Sequence, residues 1–210
     1  MRYWCYDCSK LTLWVFFRLG HGLEVHGLQH VPKQGGFVVA SNHTSYLDPP
    51  VLGAACPRRL AFMARESLFR HPLLGAFMRG VHVIPLRRGE ADLGAIREAI
   101  ARLHAGLAVA IFPEGTRQLS GRLGHAKRGV GLLAASAQVP IVPVLVRGTF
   151  EAFPPDASSL RRAKIRVAFG APIPYTTASV SSPSHHQQLG DAVTLAWQRL
   201  AEERGREHIP

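Results

Sequence analysis

His43 and Asp48 stand five residues apart in the stretch Ser41-Asn42-His43-Thr44-Ser45-Tyr46-Leu47-Asp48-Pro49-Pro50. An imidazole titrates near neutral pH and can take a proton from a hydroxyl. A carboxylate on its far nitrogen fixes the tautomer and stabilises the imidazolium. Neither regular element pairs side chains at this spacing, because residues five apart lie on opposite faces of a strand and about 140° apart around a helix. The two meet only across a turn, and the flanks supply one. Gly35-Gly36 before Phe37-Val38-Val39-Ala40 reads as a turn entering a buried strand. Asp48-Pro49-Pro50-Val51-Leu52 reads as an N-cap and the start of a helix. Pro49 and Pro50 have no N–H, so a capping carboxylate would have only the N–H of Val51 nearby, leaving an oxygen for the imidazole. Taken alone, the decapeptide also fits a structural histidine beside a plain helix cap.

No nucleophile accompanies the pair. Ser45 is equally suited to capping the helix, and no Gly-x-Ser-x-Gly elbow occurs, so the proton is expected to come from a bound acceptor. Two further loops carry arginines. Arg87-Arg88 follows the strand-like run 81–86, and Pro113-Glu114-Gly115-Thr116-Arg117 follows the buried run Leu107 to Phe112. A glycine-rich basic loop with Gly121, Gly124, Lys127, Arg128 and Gly129 comes next. Guanidinium forks suit phosphate, and glycine lets backbone N–H groups approach it.

The elements that must position these loops alternate along the chain. Strands are expected at 22–27, 37–42, 59–64, 81–86, 107–112, 140–146 and 164–169. Helices are expected near 49–56, 73–78, 91–104, 130–137 and 189–205, with a polar Ser- and His-containing stretch at 176–188. The segment 91–104 is the clearest amphipathic helix, with Leu93, Ile96, Ile100 and Leu103 on one face. Such alternation predicts one α/β domain with a mixed, largely parallel sheet flanked by helices. Sites in these sheets gather in the loops beyond strand ends, where 41–48, 87–88 and 113–117 all fall.

At 210 residues, 47% hydrophobic and 19% charged, the chain can bury about 70% of its unfolded surface in a single core. The net charge of +11 implies an anionic partner. The basic residues form scattered pairs without interleaved aromatics or a basic recognition helix, so nucleic acid is not expected. Three cysteines fit a reducing compartment. Cys5-x2-Cys8-x12-His21-x4-His26 mimics the ligand spacing of a zinc finger, but Thr12 and Arg18 occupy the places of the finger's core residues, and no metal is expected. Residues 1–22 place Trp4, Trp14, Phe16 and Phe17 among basic flanks in an apolar run too short to span a bilayer. They predict a helix lying in a membrane interface ahead of a domain at 23–210, or else a helix packed on that domain.

Asn42-His43-x-Ser45-x-x-Asp48 followed by Phe112-Pro113-Glu114-Gly115-Thr116-Arg117 resembles the first and third motifs of the PlsC-domain glycerolipid acyltransferases. Arg65 to Phe69 with Ile84 to Arg88 resembles the second, and Val139 to Val144 the fourth, over roughly 23–175. The resemblance implies a glycerol-3-phosphate acyltransferase-like fold and transfer of a fatty acyl group from acyl-CoA or acyl carrier protein to a lysophospholipid hydroxyl. The expected acceptor is 1-acylglycerol-3-phosphate, giving phosphatidate. His43 would be the general base and Asp48 its orienter, with Asn42 and Ser45 supporting them. Glu114, Gly115, Thr116, Arg117 and Arg88 would hold the acceptor's glycerol phosphate, a contact that Arg87 can share. No cofactor beyond the acyl donor is implied, and the enzyme is expected on the cytoplasmic face of a membrane without spanning it. The alternatives are another lysolipid or an amino-acid lipid as acceptor, and a non-catalytic module binding anionic lipid or nucleic acid.

Overall fold

The computed structural model describes residues 3–87, 92–175 and 182–206. Its centre is β2 (Phe37–Ser41), which is buried at every position. Val38 and Ala40 enter one apolar cluster and Phe37 and Val39 the other, so the strand's period of two serves both faces of the sheet. The remaining strands are β1 (Glu24–His26), β3 (Leu60–Arg65), β4 (Ile84–Leu86), β5 (Ala108–Ile111), β6 (Ile141–Arg147) and β7 (Arg166–Phe169). They form a seven-stranded sheet in the order β1-β7-β6-β2-β5-β3-β4.

From β6 to β4 all neighbours run parallel. Strand β7 is antiparallel to β6 and carries β1 parallel to itself. The carboxyl ends of β2, β3, β4, β5 and β6 therefore open on one edge. The expected mixed, largely parallel α/β sheet is what the chain forms.

The helices are α1 (Trp4–His21), α2 (Asp48–Ala55), α3 (Pro72–Gly80), α4 (Leu93–His104), α5 (Gly129–Ala137), α6 (Thr149–Ala152) and α7 (Pro183–Arg206). One face of the sheet is covered by α1 and α2 around Phe17, Val51 and Leu52. The other is covered by α4, α5 and α7 around Leu103, Val130 and Trp197. The indole N–H of Trp197 donates to Ala40 O at 3.1 Å, fastening α7 to the strand that leads into the His43 loop.

Two expected elements need correction and a third is new. The closing helix begins at Pro183, not near 189, because proline is well placed in a first helical turn and Gln187 behind it donates to Ala126 O at 3.3 Å and to Asp191 Oδ1 at 2.8 Å. The strand expected at 81–86 is confined to Ile84–Leu86, since His82 sits at φ 59° and turns the chain. The short α6 was not expected. Helix α1 is docked on the body through buried Tyr6, Phe17 and His21, and the Tyr6 hydroxyl accepts from Leu60 N at 2.8 Å. Its outer side nevertheless leaves Trp4 70%, Leu11 64% and Leu19 79% exposed. Cys5 and Cys8 lie exposed on this helix, and among the described residues no cluster of three ligating side chains suits a metal.

Candidate active site

Strand β2 delivers the chain to the open edge of the sheet, and Asn42 pins it there. Its amide donates to Val146 O at 3.0 Å and accepts from Val146 N at 2.7 Å, extending the ladder to β6 by one side chain. Asn42 is thus a structural staple beneath the histidine.

His43 and Asp48 meet across the turn. His43 Nδ1 lies 2.9 Å from Asp48 Oδ2. That oxygen also accepts from Thr44 N at 2.6 Å and Ser45 N at 2.8 Å, so it faces N–H donors and the imidazole proton belongs on Nδ1. Nε2 is left with its lone pair, on a ring whose side chain is 18% exposed while Asp48 is wholly buried. The imidazole stacks on Phe112, the residue that leaves β5, with centroids 4.3 Å apart and planes at 26°.

The expected capping role of Asp48 is corrected by this geometry. Asp48 is the first residue of α2, Leu47 precedes the helix, and the Val51 N–H goes to Leu47 O at 2.9 Å. With prolines next in line, the carboxylate has no helix donors to cap and folds back on its own loop instead. Its second oxygen, Oδ1, accepts from Thr149 Oγ1 at 2.6 Å. Ser45 does not cap the helix through a first-turn N–H either. It receives Leu47 N at 3.2 Å and donates to Phe153 O at 2.8 Å, tying the loop to α6.

The turn after β5 lies against the same loop, because Gln118 N donates to His43 O at 2.8 Å. Gly115 adopts φ 80°, a conformation that favours glycine, and a methyl group there would stand 3.1 Å from Lys127 Nζ. Thr116 is exposed beside it. The guanidinium of Arg117 lies 3.5 Å above the Tyr46 ring centroid, within reach of a cation–π contact. Its Nη1 is buried with no partner among the described residues, and so is Glu114 Oε2. A desolvated guanidinium N–H without an acceptor is a place for an anion.

Burial pushes the Glu114 carboxyl up to about 7, although donors from Gly124, Gln118 and the His43 backbone oppose the shift. In the unfolded chain the same group titrates near the ordinary value of 4.5. Between those values the folded state binds more protons, so stability falls as pH rises through 7. Glu114→Gln removes that dependence. Its melting temperature relative to the parent is expected to rise progressively from pH 5 to pH 8, as differential scanning fluorimetry would show.

Residues 22–147 match the family model described as Acyltransferase. The chain belongs to the acyltransferase family. This acyltransferase is 29% identical over 170 residues to the 1-acyl-sn-glycerol-3-phosphate acyltransferase of Bacillus subtilis (strain 168), covering 80% of this chain and 82% of that one. It is 27% identical to the chloroplastic LPAT1 enzyme of the same name from Arabidopsis thaliana, over 89% of this chain and 52% of that one, so it spans about half the plant protein. Among solved structures, PlsC from Thermotoga maritima superposes with a TM-score of 0.76 at 24% identity, covering 95% of this chain and 78% of that chain, which bears on the fold alone.

Within this acyltransferase the structure brings together Asn42, His43, Ser45, Asp48 and the turn 114–117. It does not bring Arg87 into that group by any direct bond. The Arg87 guanidinium lies 3.5 Å from the Glu66 carboxylate and is 78% exposed, while its backbone N–H is held by Asp92. Arg88 lies outside the described residues. Sequence reasoning passed over Tyr46, Phe112 and Thr149 as parts of the site. The first two stood in view inside the quoted motifs, where an aromatic beside a charged turn is a signal for stacking.

Proposed function

We propose that this acyltransferase moves a fatty acyl group from a thioester, acyl-CoA or acyl carrier protein, to the free hydroxyl of 1-acylglycerol-3-phosphate, forming phosphatidate. The observation that carries the reading is the His43 Nδ1 to Asp48 Oδ2 contact of 2.9 Å, in a loop bonded directly to the Glu114–Arg117 turn. Support for this acceptor comes from the relatives named for it, from the unpartnered Arg117 Nη1 and from the chain's positive charge.

In this reading His43 Nε2 takes the acceptor's hydroxyl proton as that oxygen attacks the thioester carbonyl carbon. The new C–O bond forms and the C–S bond breaks. The imidazolium, stabilised by Asp48, returns the proton to the leaving thiolate. Arg117, Gly115, Thr116 and Lys127 hold the phosphate, and neutral Glu114 can donate to an acceptor oxygen as well as receive. No covalent acyl-enzyme is required. Thiol release measured on the purified protein is expected to depend on added lysophosphatidate. Release at the same rate without any acceptor would overturn the direct-transfer scheme.

The apolar outer side of α1 supports attachment to a membrane surface, which the proposal takes to be the cytoplasmic one, with Trp4, Leu11 and Leu19 entering the interface. Among the described residues no helix is long and apolar enough to cross a bilayer. Because α1 also supplies core residues, the informative change is on its exposed side. Replacing Trp4, Leu11 and Leu19 together by Ser is expected to weaken sedimentation with anionic vesicles by about tenfold or more, with the circular dichroism spectrum unchanged. Undiminished sedimentation would remove α1 from the membrane contact.

A further inference from the structure

The hydroxyl of Thr149 is bonded to the buried carboxylate that orients the histidine, and nothing in the motifs accounts for it. Asp48 is wholly buried, so each of its oxygens must find its donors within the protein. Oδ2 is provided for locally, by Thr44 N, Ser45 N and His43. The donor to Oδ1 comes from 101 residues away, where Thr149 Oγ1 donates at 2.6 Å and is itself fully buried.

The backbone places this hydroxyl deliberately. Gly148 follows β6 at φ 86°, and a Cβ there would lie 2.0 Å from Lys164 O, so only glycine lets the chain turn from the strand into α6 with Thr149 beneath Asp48. The same segment grips the loop at two more points, through Val146 on Asn42 and Phe153 O on Ser45.

We propose that Thr149 is a positioning residue for catalysis: by donating to Oδ1 it fixes the plane of the Asp48 carboxylate, so that Oδ2 is presented to His43 Nδ1. This rests on His43 being the general base of the proposed reaction. Without the hydroxyl, Oδ1 is a buried acceptor lacking a donor, and the plane of the carboxylate is set by the Oδ2 contacts alone. The Thr149 hydroxyl donates to Asp48 and, among the described residues, makes no hydrogen bond to the turn 114–117, so its effect belongs in kcat and not in KM.

The test compares Thr149→Val, which keeps the shape and loses the donor, with Thr149→Ser, which keeps the donor. Thr149→Val is expected to lower kcat by about 10- to 100-fold while KM for lysophosphatidate and for acyl-CoA stays within about twofold. Thr149→Ser is expected to recover most of the parent kcat. Should the valine protein fail to fold, Thr149→Cys keeps the bulk with a weak donor, and the same kcat-selective loss is expected in smaller measure. Parent kcat in folded Thr149→Val or Thr149→Cys would overturn the proposal, as would a loss confined to KM or a serine variant no better than valine. His43→Ala run alongside separates the two levels. If His43→Ala turns over normally, the proposed reaction scheme itself falls. If only the Thr149 variants do, the scheme stands and the positioning role falls.

Discussion

Replacing His43 by Ala is expected to lower kcat by about a thousandfold or more, while leaving the fold and vesicle binding in place. Positioned proton transfer contributes about 10²- to 10⁴-fold, and loss of the base at the high end costs about 4–5.5 kcal/mol of transition-state stabilisation. The fold tolerates the change because Asp48 keeps its donors from Thr44, Ser45 and Thr149 when the imidazole goes. What is lost structurally is the stack on Phe112 and one hydrogen bond at a partly exposed site. A melting temperature near that of the parent, with product formation gone, separates an enzyme from a module that merely binds anionic lipid. Full turnover by His43→Ala would contradict the mechanism outright.

The Asp48 variants separate charge from architecture. Asp48→Asn can direct its carbonyl oxygen to Thr44 N, Ser45 N and His43 Nδ1, and its amide to Thr149, whose hydroxyl can rotate to accept. The loop and the tautomer then survive, and only the negative charge behind the imidazolium is missing. Turnover is expected to fall by about 10²- to 10³-fold with little change in melting temperature. Asp48→Ala is different. It leaves the buried N–H groups of Thr44 and Ser45 and the Thr149 hydroxyl without an acceptor, at a cost of about 3 kcal/mol or more in stability. Steady-state kinetics and thermal melting on both variants check the distinction. A stable, active Asp48→Asn would show that the carboxylate serves only to shape the loop.

The parts of this architecture that local chemistry determines were legible in the chain. The buried strand into His43, the amphipathic segment ending in Leu103 and the run into Glu114 each declare their element by periodicity and flanking glycine or proline. Hence the parallel sheet and the gathering of loops at one edge could be expected. What sequence could not supply was pairing at long range. The Thr149 donor to Asp48, the Asn42 staple to Val146 and the reversed direction of β7 depend on residues brought together only by the sheet. Asp48 illustrates the difference. Its proximity to His43 followed from a strand, a turn and two prolines, whereas its partners corrected the idea that it caps α2. Arg87 is expected to share the phosphate contact only as the neighbour of Arg88, and a strand end does not fix where an exposed guanidinium points; here it lies 3.5 Å from the Glu66 carboxylate.

In the proposed reaction the His43–Asp48 turn deprotonates a lysophospholipid hydroxyl while the Arg117 turn holds its phosphate nearby. Mass spectrometry of products from the purified protein, offered a panel of lysolipids with acyl-CoA and with acyl carrier protein thioester, tests it directly. The expected result is phosphatidate formed from 1-acylglycerol-3-phosphate, carrying the donor's acyl chain and absent from the His43→Ala reaction. A folded protein that acylates no member of the panel with either donor, or forms the same product without His43, would contradict it.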